Sequence, residues 1–305
     1  MSSDDAMSTP ASGAPPADRD VPATERSSPS QSAPPPGALP RRFGSWYVAE
    51  HWFRTMRAYL QTMLMTGIGT PLLYLYALGV GLATLVDQNI GAGSADAGAV
   101  GAVGYLVFVA PALLCSSAVT TAVDELTYPV IAGFKWNPFF IGMHAAPLQP
   151  RQIADGIVIA VSGRLLAQST LYYLFMLLFG AVPSGLGFLA IVIATLTGLS
   201  FGVLVMAYSA TIEQDKGQMN YVMRFVVLPM TLFSGTFFPL ETLPVGLHWL
   251  GWISPLWHGT ELARVASYGY QEPLWLTVAH VAYLLVLLAA GVALARRITT
   301  RRLTR

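Results

Sequence analysis

The chain has 305 residues, of which 54% are hydrophobic and only 11% are charged. A soluble domain has roughly a quarter charged residues, so this composition and the mean hydropathy of +0.53 exclude both a soluble globular enzyme and a disordered protein. The single cysteine, Cys115, excludes an intrachain disulfide and a thiolate metal cluster. The 17 Lys and Arg nearly balance the 16 Asp and Glu, so the net charge does not indicate a nucleic-acid partner.

Residues 1–40 differ in composition from the rest of the chain. They contain nine of the 21 prolines, many Ser and Ala, and almost no large apolar residue. Such a segment buries too little apolar surface to offset the entropy lost on ordering. We therefore predict a disordered cytoplasmic tail over 1–40.

Residues 41–61 have the pattern of an amphipathic helix. Apolar residues recur at steps of three and four, and Glu50 precedes Arg54 by four residues on the other face. The apolar positions are Trp46, Ala49, Phe53, Met56 and Leu60. This pattern favours an interfacial helix on the inner leaflet; the alternative is a downward extension of the first span.

Six apolar stretches have the roughly 20 residues that a helix needs to cross a bilayer. They are 62–86, 102–123, 157–181, 188–212, 220–238 and 274–295. We predict an all-α membrane protein with a six-span domain over 62–300 and a basic cytoplasmic end over 301–305.

The positive charges are distributed very unevenly between the two sets of connectors. The set formed by 87–101, 182–187 and 239–273 contains only Arg264, while the other 16 of the 17 Lys and Arg lie on or near the opposite side. Positive residues concentrate on the cytoplasmic side of membrane proteins. Both termini are therefore predicted to be cytoplasmic, which requires an even number of spans.

The predicted spans contain no Asp or Glu. Ion-coupled carriers use an ionisable group near the midplane, so a carrier is disfavoured, and no filter-like sequence supports a channel. His280, near the start of the sixth span, is interpreted as a packing residue.

Nor does the chain have its own phosphate-binding loop. That loop requires Gly-x-x-x-x-Gly-Lys-Ser/Thr, whereas Lys135 is followed by Trp136 and Lys216 by Gly217. We expect no cofactor on this chain and no catalysis by it, with ATP and Mg bound by a separate ATPase subunit.

Small residues on the fourth span indicate a helix-packing face. Ala190, Ala194, Gly198 and Gly202 follow each other at four-residue steps and include a Gly-x-x-x-Gly motif. Pro229 in the fifth span lacks a backbone donor and is expected to kink that helix.

The cytoplasmic connector 124–156 contains more aromatic residues than we expect of a solvent-exposed loop with no binding role. Its stretch from Ile131 to Ala145 ends before Pro147 and predicts one short helix that offers aromatic anchors, including Phe134, Trp136 and Phe140, to a partner. The alternative is that these aromatic residues simply lie in the membrane interface.

The outer connector, from Phe233 to Gly269, is apolar but interrupted by Pro239, Pro244 and Pro255. Its segments 243–253 and 256–266 are too short to cross, so we predict short re-entrant helices. His248, His258 and Glu261 suggest, as an alternative function, a membrane-embedded lipid- or glycan-modifying enzyme. Their wide spacing does not favour a metal site, and Glu261 with Arg264 is compatible with a surface pair.

Motifs in these two connectors resemble the permease of type-2 ATP-binding-cassette exporters, in the branch of nodulation-factor (lipo-oligosaccharide) and drug-resistance permeases. The resemblance covers residues 43–300. In the first connector the matching residues are Glu125, Tyr128-Pro129, Phe134-Lys135-Trp136 and Ala146-Pro147-Leu148-x-Pro150. In the second they are Phe233-Ser234-Gly235-x-Phe237-Phe238-Pro239-Leu240, Leu243-Pro244 and Ser254-Pro255-Leu256-Trp257-His258-Gly259-x-Glu261-Leu262-x-Arg264.

This resemblance implies a permease in the bacterial inner membrane, assembled as a homodimer or heterodimer with two ATPase chains. It implies that 131–145 corresponds to the coupling helix and 240–268 to an outer gate. The substrate classes of such families are lipids, glycolipids, polysaccharides and amphipathic drugs.

Overall fold

A computed structural model describes residues 42–59, 61, 69, 73–77, 81 and 104–304. The predicted tail 1–40, most of the first predicted span 62–86 and the connector 87–101 lie outside the described residues. Throughout the described part the regular structure is helical, with no strand. The all-α prediction is confirmed.

The helices are numbered here in chain order. They are α1 (Gly44–Ala58), α2 (Tyr105–Leu126), α3 (Tyr128–Phe134), α4 (Phe139–Ala145), α5 (Pro150–Leu178), α6 (Leu189–Ser209), α7 (Gln218–Val222), α8 (Leu228–Phe233), α9 (His248–Ile253), α10 (Pro255–Tyr268) and α11 (Leu274–Leu303). A π-helical turn over Met223–Val227 joins α7 to α8, and 3-10 turns over Leu240–Thr242 and Val245–Leu247 precede α9.

Among the residues that the structure describes, four helical segments are long and apolar enough to cross a membrane. They are Tyr105–Phe134, Pro150–Leu178, Leu189–Ser209 and Leu274–Leu303. Each contains or overlaps a predicted span. The structure therefore has the helices of a multi-pass membrane protein.

The fifth predicted span, 220–238, is shorter than its apolar length suggested. It is helical from Gln218 to Phe233, about 24 Å at 1.5 Å per residue, less than the hydrocarbon thickness of about 30 Å. Pro229 lacks a backbone donor, and just before it the Leu228 N–H bonds to the carbonyl of Met223 in a widened turn. The π-turn and the positive φ of 71° at Gly235 limit the length of regular α-helix in this segment.

Helix α6 lies at the centre of the bundle, against α2, α5, α10 and α11. A Cβ added at Gly198 would lie 2.7 Å from the carbonyl oxygen of Ala118, and one at Gly202 would lie 2.7 Å from the Cβ of Ala122. Ala194 is completely buried. Gly198 and Gly202 therefore lie where α2 approaches α6 too closely for larger side chains.

Helix α1 packs along α5. The carbonyl of Ser45 would be 2.6 Å from a Cβ at Gly156, so the two helices meet at that glycine. Trp46 and Phe53, predicted to share the apolar face, are 58% and 37% exposed. The buried side chains are Val48, Ala49, Trp52 and Met56. The side of α1 that packs on the protein therefore shares Ala49 and Met56 with the predicted apolar face, and the position of this helix at the inner leaflet stays a prediction.

Candidate functional site

The connector predicted as one helix from Ile131 to Ala145 forms two helices, α3 and α4. Residues before a proline avoid the helical region, and Asn137 precedes Pro138, so the helix cannot continue through this point. The backbone N–H of Asn137 instead bonds to the carbonyl of Ala132 at 2.9 Å. The prediction of a single helix was wrong, although Pro138 was a visible signal for the break.

Four aromatic rings fix α3 and α4 against α1. Phe140 is completely buried, with its ring centroid 4.8 Å from Phe134, 4.5 Å from Phe139 and 6.2 Å from Trp52, to which it is parallel within 4°. A Cβ at Gly133 would lie 2.4 Å from the Phe140 ring. We call Trp52, Phe134, Phe139 and Phe140 the aromatic cluster. A glycine is needed at 133 because a larger residue there would overlap the Phe140 ring.

Two aromatic side chains of the same connector face outward. Trp136 is 54% exposed and Tyr128 is 42% exposed, and their rings stack at 6.3 Å with an interplanar angle of 15°. Lys135 beside them is also exposed. The expectation that Phe140 is presented to a partner is wrong for this structure, because that ring is the centre of the aromatic cluster. The exposed aromatic surface is the Tyr128–Trp136 pair.

Polar contacts connect this connector to the ends of the spans. The Arg302 guanidinium, near the end of α11, lies 4.2 Å from the Phe134 ring centroid and donates to the carbonyl of Ala210 at 2.7 Å. Glu125, in the last turn of α2, pairs with Arg164 of α5 and is hydrogen-bonded by the side chain of Trp52.

The passage from α4 to α5 completes this inner region. Pro147 lies half-buried in the extended segment between the two helices. One turn into α5, Asp155 accepts two hydrogen bonds from Arg296 of α11, at 2.6 and 3.0 Å. The connector is therefore attached to α1, α2, α5 and α11, so a force applied to it reaches several helices.

On the opposite end, the outer connector forms α9 and the longer α10. Ser254 caps α10 by accepting from the backbone N–H of Leu256 at 3.2 Å, with Pro255 at the first helical position. The hydroxyl of Ser234 donates to that of Ser254 at 2.6 Å. Helix α10 packs on α2, α6 and α11. Of the predicted gate residues ahead of these helices, Phe237 and Pro239 are half-buried and Phe238 is 37% exposed.

Arg264 and Glu261 form a buried ion pair, and not the surface pair that the sequence allowed. Arg264 is 2% exposed and donates to Glu261 at 2.8 Å and to the carbonyl of Gly235 at 2.6 Å. Its guanidinium carbon lies 3.7 Å from the ring centroid of Phe108. This Arg264 cluster joins α10 to α2 and to the segment after α8.

A second buried polar cluster joins α10 to α11. The Nδ1 atoms of His258 and His280 are 2.6 Å apart, and Nε2 of His280 is 2.9 Å from a carboxylate oxygen of Glu272. His258 Nε2 lies 3.0 Å from the carbonyl oxygen of Trp252, and Thr277 donates to Glu272 at 3.2 Å. Burial lowers the pKa of His258 to about 4. The hydrogen bond to the carbonyl of Trp252 raises this pKa, and the nearby His280 lowers it more weakly than burial does.

Sequence reasoning missed most of this histidine cluster. It identified His258 but treated His280 as a packing residue and did not single out Glu272. The three residues are separated along the chain by 8 and 22 positions, so no local spacing indicated their contact. The one available signal was that His280 is the sole histidine in an otherwise apolar predicted span.

The three residues of the alternative enzyme hypothesis do not share one site. His248 Nε2 bonds to the carbonyl of Leu243 at 2.9 Å, His258 contacts His280, and Glu261 is paired with Arg264. Within the described ranges, no group of three or more His, Cys, Asp and Glu has an arrangement that could hold a metal ion.

The helices that are long and apolar enough to cross a membrane are typical of a multi-pass membrane protein. The sequence profile of the ABC-2 type transporter family matches residues 48–268, and the chain belongs to that family. Among similar proteins, Nodulation protein J of Rhizobium leguminosarum bv. trifolii is 27% identical over 279 residues, covering 88% of this chain and 97% of the relative. Nodulation protein J of Rhizobium leguminosarum bv. viciae is 25% identical over 265 residues, covering 83% and 94%. That of Neorhizobium galegae is 27% identical over 240 residues, covering 77% and 86%.

Proposed function

We propose that this chain is the membrane subunit of an ATP-binding-cassette exporter that moves an amphipathic lipid, glycolipid, polysaccharide or drug outward. The observation that carries the proposal is the exposed Tyr128–Trp136 pair, held on a connector that contacts several helices. An exposed pair of large aromatic rings is an apolar liability unless a partner covers it. Aromatic residues are also the usual anchors of protein interfaces.

The proposed partner is a separate ATPase subunit that binds ATP and Mg. The chain has no phosphate-binding loop of its own, since neither Lys135 nor Lys216 stands in the required motif. Membership of the ABC-2 type transporter family supports an exporter that takes its energy from such a partner. We propose a complex of two permease chains, identical or different, with two ATPase chains.

The proposed topology has six spans in a bacterial inner membrane, with both termini and the Tyr128–Trp136 pair in the cytoplasm. The first and fifth spans would be 62–86 and 220–238, and α9 and α10 would enter the outer leaflet part-way. The distribution of 16 of the 17 Lys and Arg supports this orientation. The names of the relatives, Nodulation protein J, are consistent with the lipo-oligosaccharide branch that the motifs resemble.

The test compares Trp136→Ala with Trp249→Ala. Both tryptophans are about half exposed, 54% and 53%, but Trp249 lies on the outer helix α9. A buried aromatic anchor contributes about 2 kcal/mol or more, which is more than a tenfold change in affinity. Trp136→Ala should therefore reduce the ATPase recovered with the tagged permease by more than tenfold, whereas Trp249→Ala should not.

The measurement is co-purification from membranes, with the ATPase identified by its phosphate-binding loop, together with ATP hydrolysis by the complex. The permease purified alone should not hydrolyse ATP. Unchanged recovery of the ATPase with Trp136→Ala, or ATP hydrolysis by the permease alone, would contradict the proposal.

A further inference from the structure

His258, His280 and Glu272 bring three separate parts of the chain together in a buried site. His258 belongs to α10, Glu272 to the segment between α10 and α11, and His280 to α11. The side chains of His280 and Glu272 are 0% and 5% exposed, and His258 is 8% exposed. The Trp257 ring lies 5.0 and 4.9 Å from the two imidazoles, and the Tyr283 ring stacks on His258 at 4.0 Å.

The partners of these groups determine how many protons they hold. The carbonyl of Trp252 can only accept, so the proton of His258 is on Nε2 and its Nδ1 is an acceptor. The proton between the two Nδ1 atoms therefore belongs to His280. A further proton lies between Nε2 of His280 and Glu272. The three residues thus share three protons and have no net charge.

A fourth proton does not fit this arrangement. It would enter at Nδ1 of His258, where it would face the proton on Nδ1 of His280 across 2.6 Å. Two protonated nitrogens would then face each other, and the three residues together would carry a net positive charge. Like charges in a buried environment repel strongly because little water screens them.

We propose that His258, His280 and Glu272 form a latch that joins α10 to α11 while it holds three protons and opens when acidification adds a fourth. The latch lies in the outer region of the molecule, so the relevant acidity is that of the outer medium. The inference that the latch controls access to the outer gate rests on the proposed function. The existence of the latch and its response to protons do not depend on that function.

The remaining charged and titratable groups near the latch do not replace its counterion. They are the Glu261–Arg264 pair on α10, Glu241 ahead of α9, His248 on α9, Tyr268 and Tyr270 at the end of α10, and Tyr283 on α11. Glu261 is already paired with Arg264, and His248 bonds to the carbonyl of Leu243. The hydroxyl of Tyr283 donates a hydrogen bond to the carbonyl of Ile253.

The latch can be tested by nitrogen-15 NMR of the full chain, labelled at histidine and placed in lipid nanodiscs between pH 8 and 4. The chain has five histidines, which can be assigned by single substitutions. At pH 7 we expect His258 to carry its proton on Nε2 and His280 to carry one on Nδ1. On acidification, both signals should change together in one step well below the ordinary histidine pKa of about 6.5.

Two variants and a control sharpen the test. His280→Gln removes the second imidazole, so the proton affinity of His258 should rise, because the added proton on Nδ1 no longer faces the proton on Nδ1 of His280. Glu272→Gln replaces the carboxylate with a neutral amide, so the Nε2 signal of His280 should shift while the proton of His258 stays on Nε2. The control, His248→Gln, changes an outer histidine outside the latch and should leave both signals as in the wild type.

The wild-type spectrum alone can overturn the proposal, even if a variant fails to fold. A His258 that carries its proton on Nδ1 at pH 7, or one that titrates near 6.5 as a free histidine, would show that the three-proton latch does not exist. Independent titration of the two residues would refute the joint opening. None of these results depends on the ATPase, so failure of the latch and failure of the proposed function can be told apart.

Discussion

Replacement of Arg264 by leucine should destabilise the protein much more than replacement of a surface arginine. The substitution keeps an apolar side chain near Phe108 but leaves the carboxylate of Glu261 buried without its cation. It also removes the donors to the carbonyls of Gly235 and Phe108, at 2.6 and 3.4 Å. Loss of one partner of a buried pair costs about 3–5 kcal/mol, because the remaining charge is uncompensated.

Each 1 kcal/mol lowers the melting temperature of a domain of this size by about 2–4 °C. Arg264→Leu should therefore lower the apparent melting temperature by about 6–20 °C. The double variant Arg264→Leu/Glu261→Leu removes the isolated charge, so it should recover part of that loss. Recovery should be incomplete because the carbonyl of Gly235 still lacks its donor.

The assay is the loss of monodisperse protein on heating in detergent, followed by size-exclusion chromatography. Arg54→Leu is the control, since the Arg54 side chain is 77% exposed and pairs with Glu50 on the same helix; exposed pairs of this kind contribute about 0.3–0.5 kcal/mol. A fall of less than about 2 °C for Arg264→Leu would refute the argument. So would additive losses in the double variant, because additivity would mean that the two groups do not interact.

Two further predictions concern the aromatic cluster and the topology. Phe140→Ala should lower the melting temperature, because deletion of a buried Phe costs about 3–5 kcal/mol, whereas Trp136→Ala should leave it nearly unchanged; equal effects in the same heating assay would contradict the assigned burial. In a Cys115→Ala background, a cysteine at Gln271 should react with an impermeant maleimide in intact cells and one at Thr304 should react only after lysis. Labelling of position 304 in intact cells would contradict the proposed orientation.

The features that the sequence predicted well depend on local pattern. Runs of apolar residues near 20 in length gave the spans over α2, α5, α6 and α11, because crossing a bilayer is a requirement on length and hydropathy. The glycines at 198 and 202 indicated a packing face because a missing Cβ permits close approach. The identity of the facing helix, α2, was not available from this pattern.

The features that were missed depend on contacts between distant positions. Arg264 meets the carbonyl of Phe108 across 156 residues and that of Gly235 across 29, so the sequence could not show that this cation is buried. Phe140 and Trp136 are equally aromatic, and only the packing of α3 and α4 on Trp52 distinguishes the buried ring from the exposed one. The break at Pro138 is different, since the steric rule for residues before proline was sufficient to predict it.

The burial of Arg264 has a consequence for how cargo would leave the exporter. It is the one Lys or Arg in the connectors assigned to the outside, and its charge is neutralised inside the protein by Glu261. Under the proposed topology, an anionic amphiphile that reaches the outer leaflet meets no free cation of these connectors to hold it there. Product release would then be favoured by electrostatics and rebinding disfavoured, so directionality would arise partly from the exit surface and not from ATP hydrolysis alone.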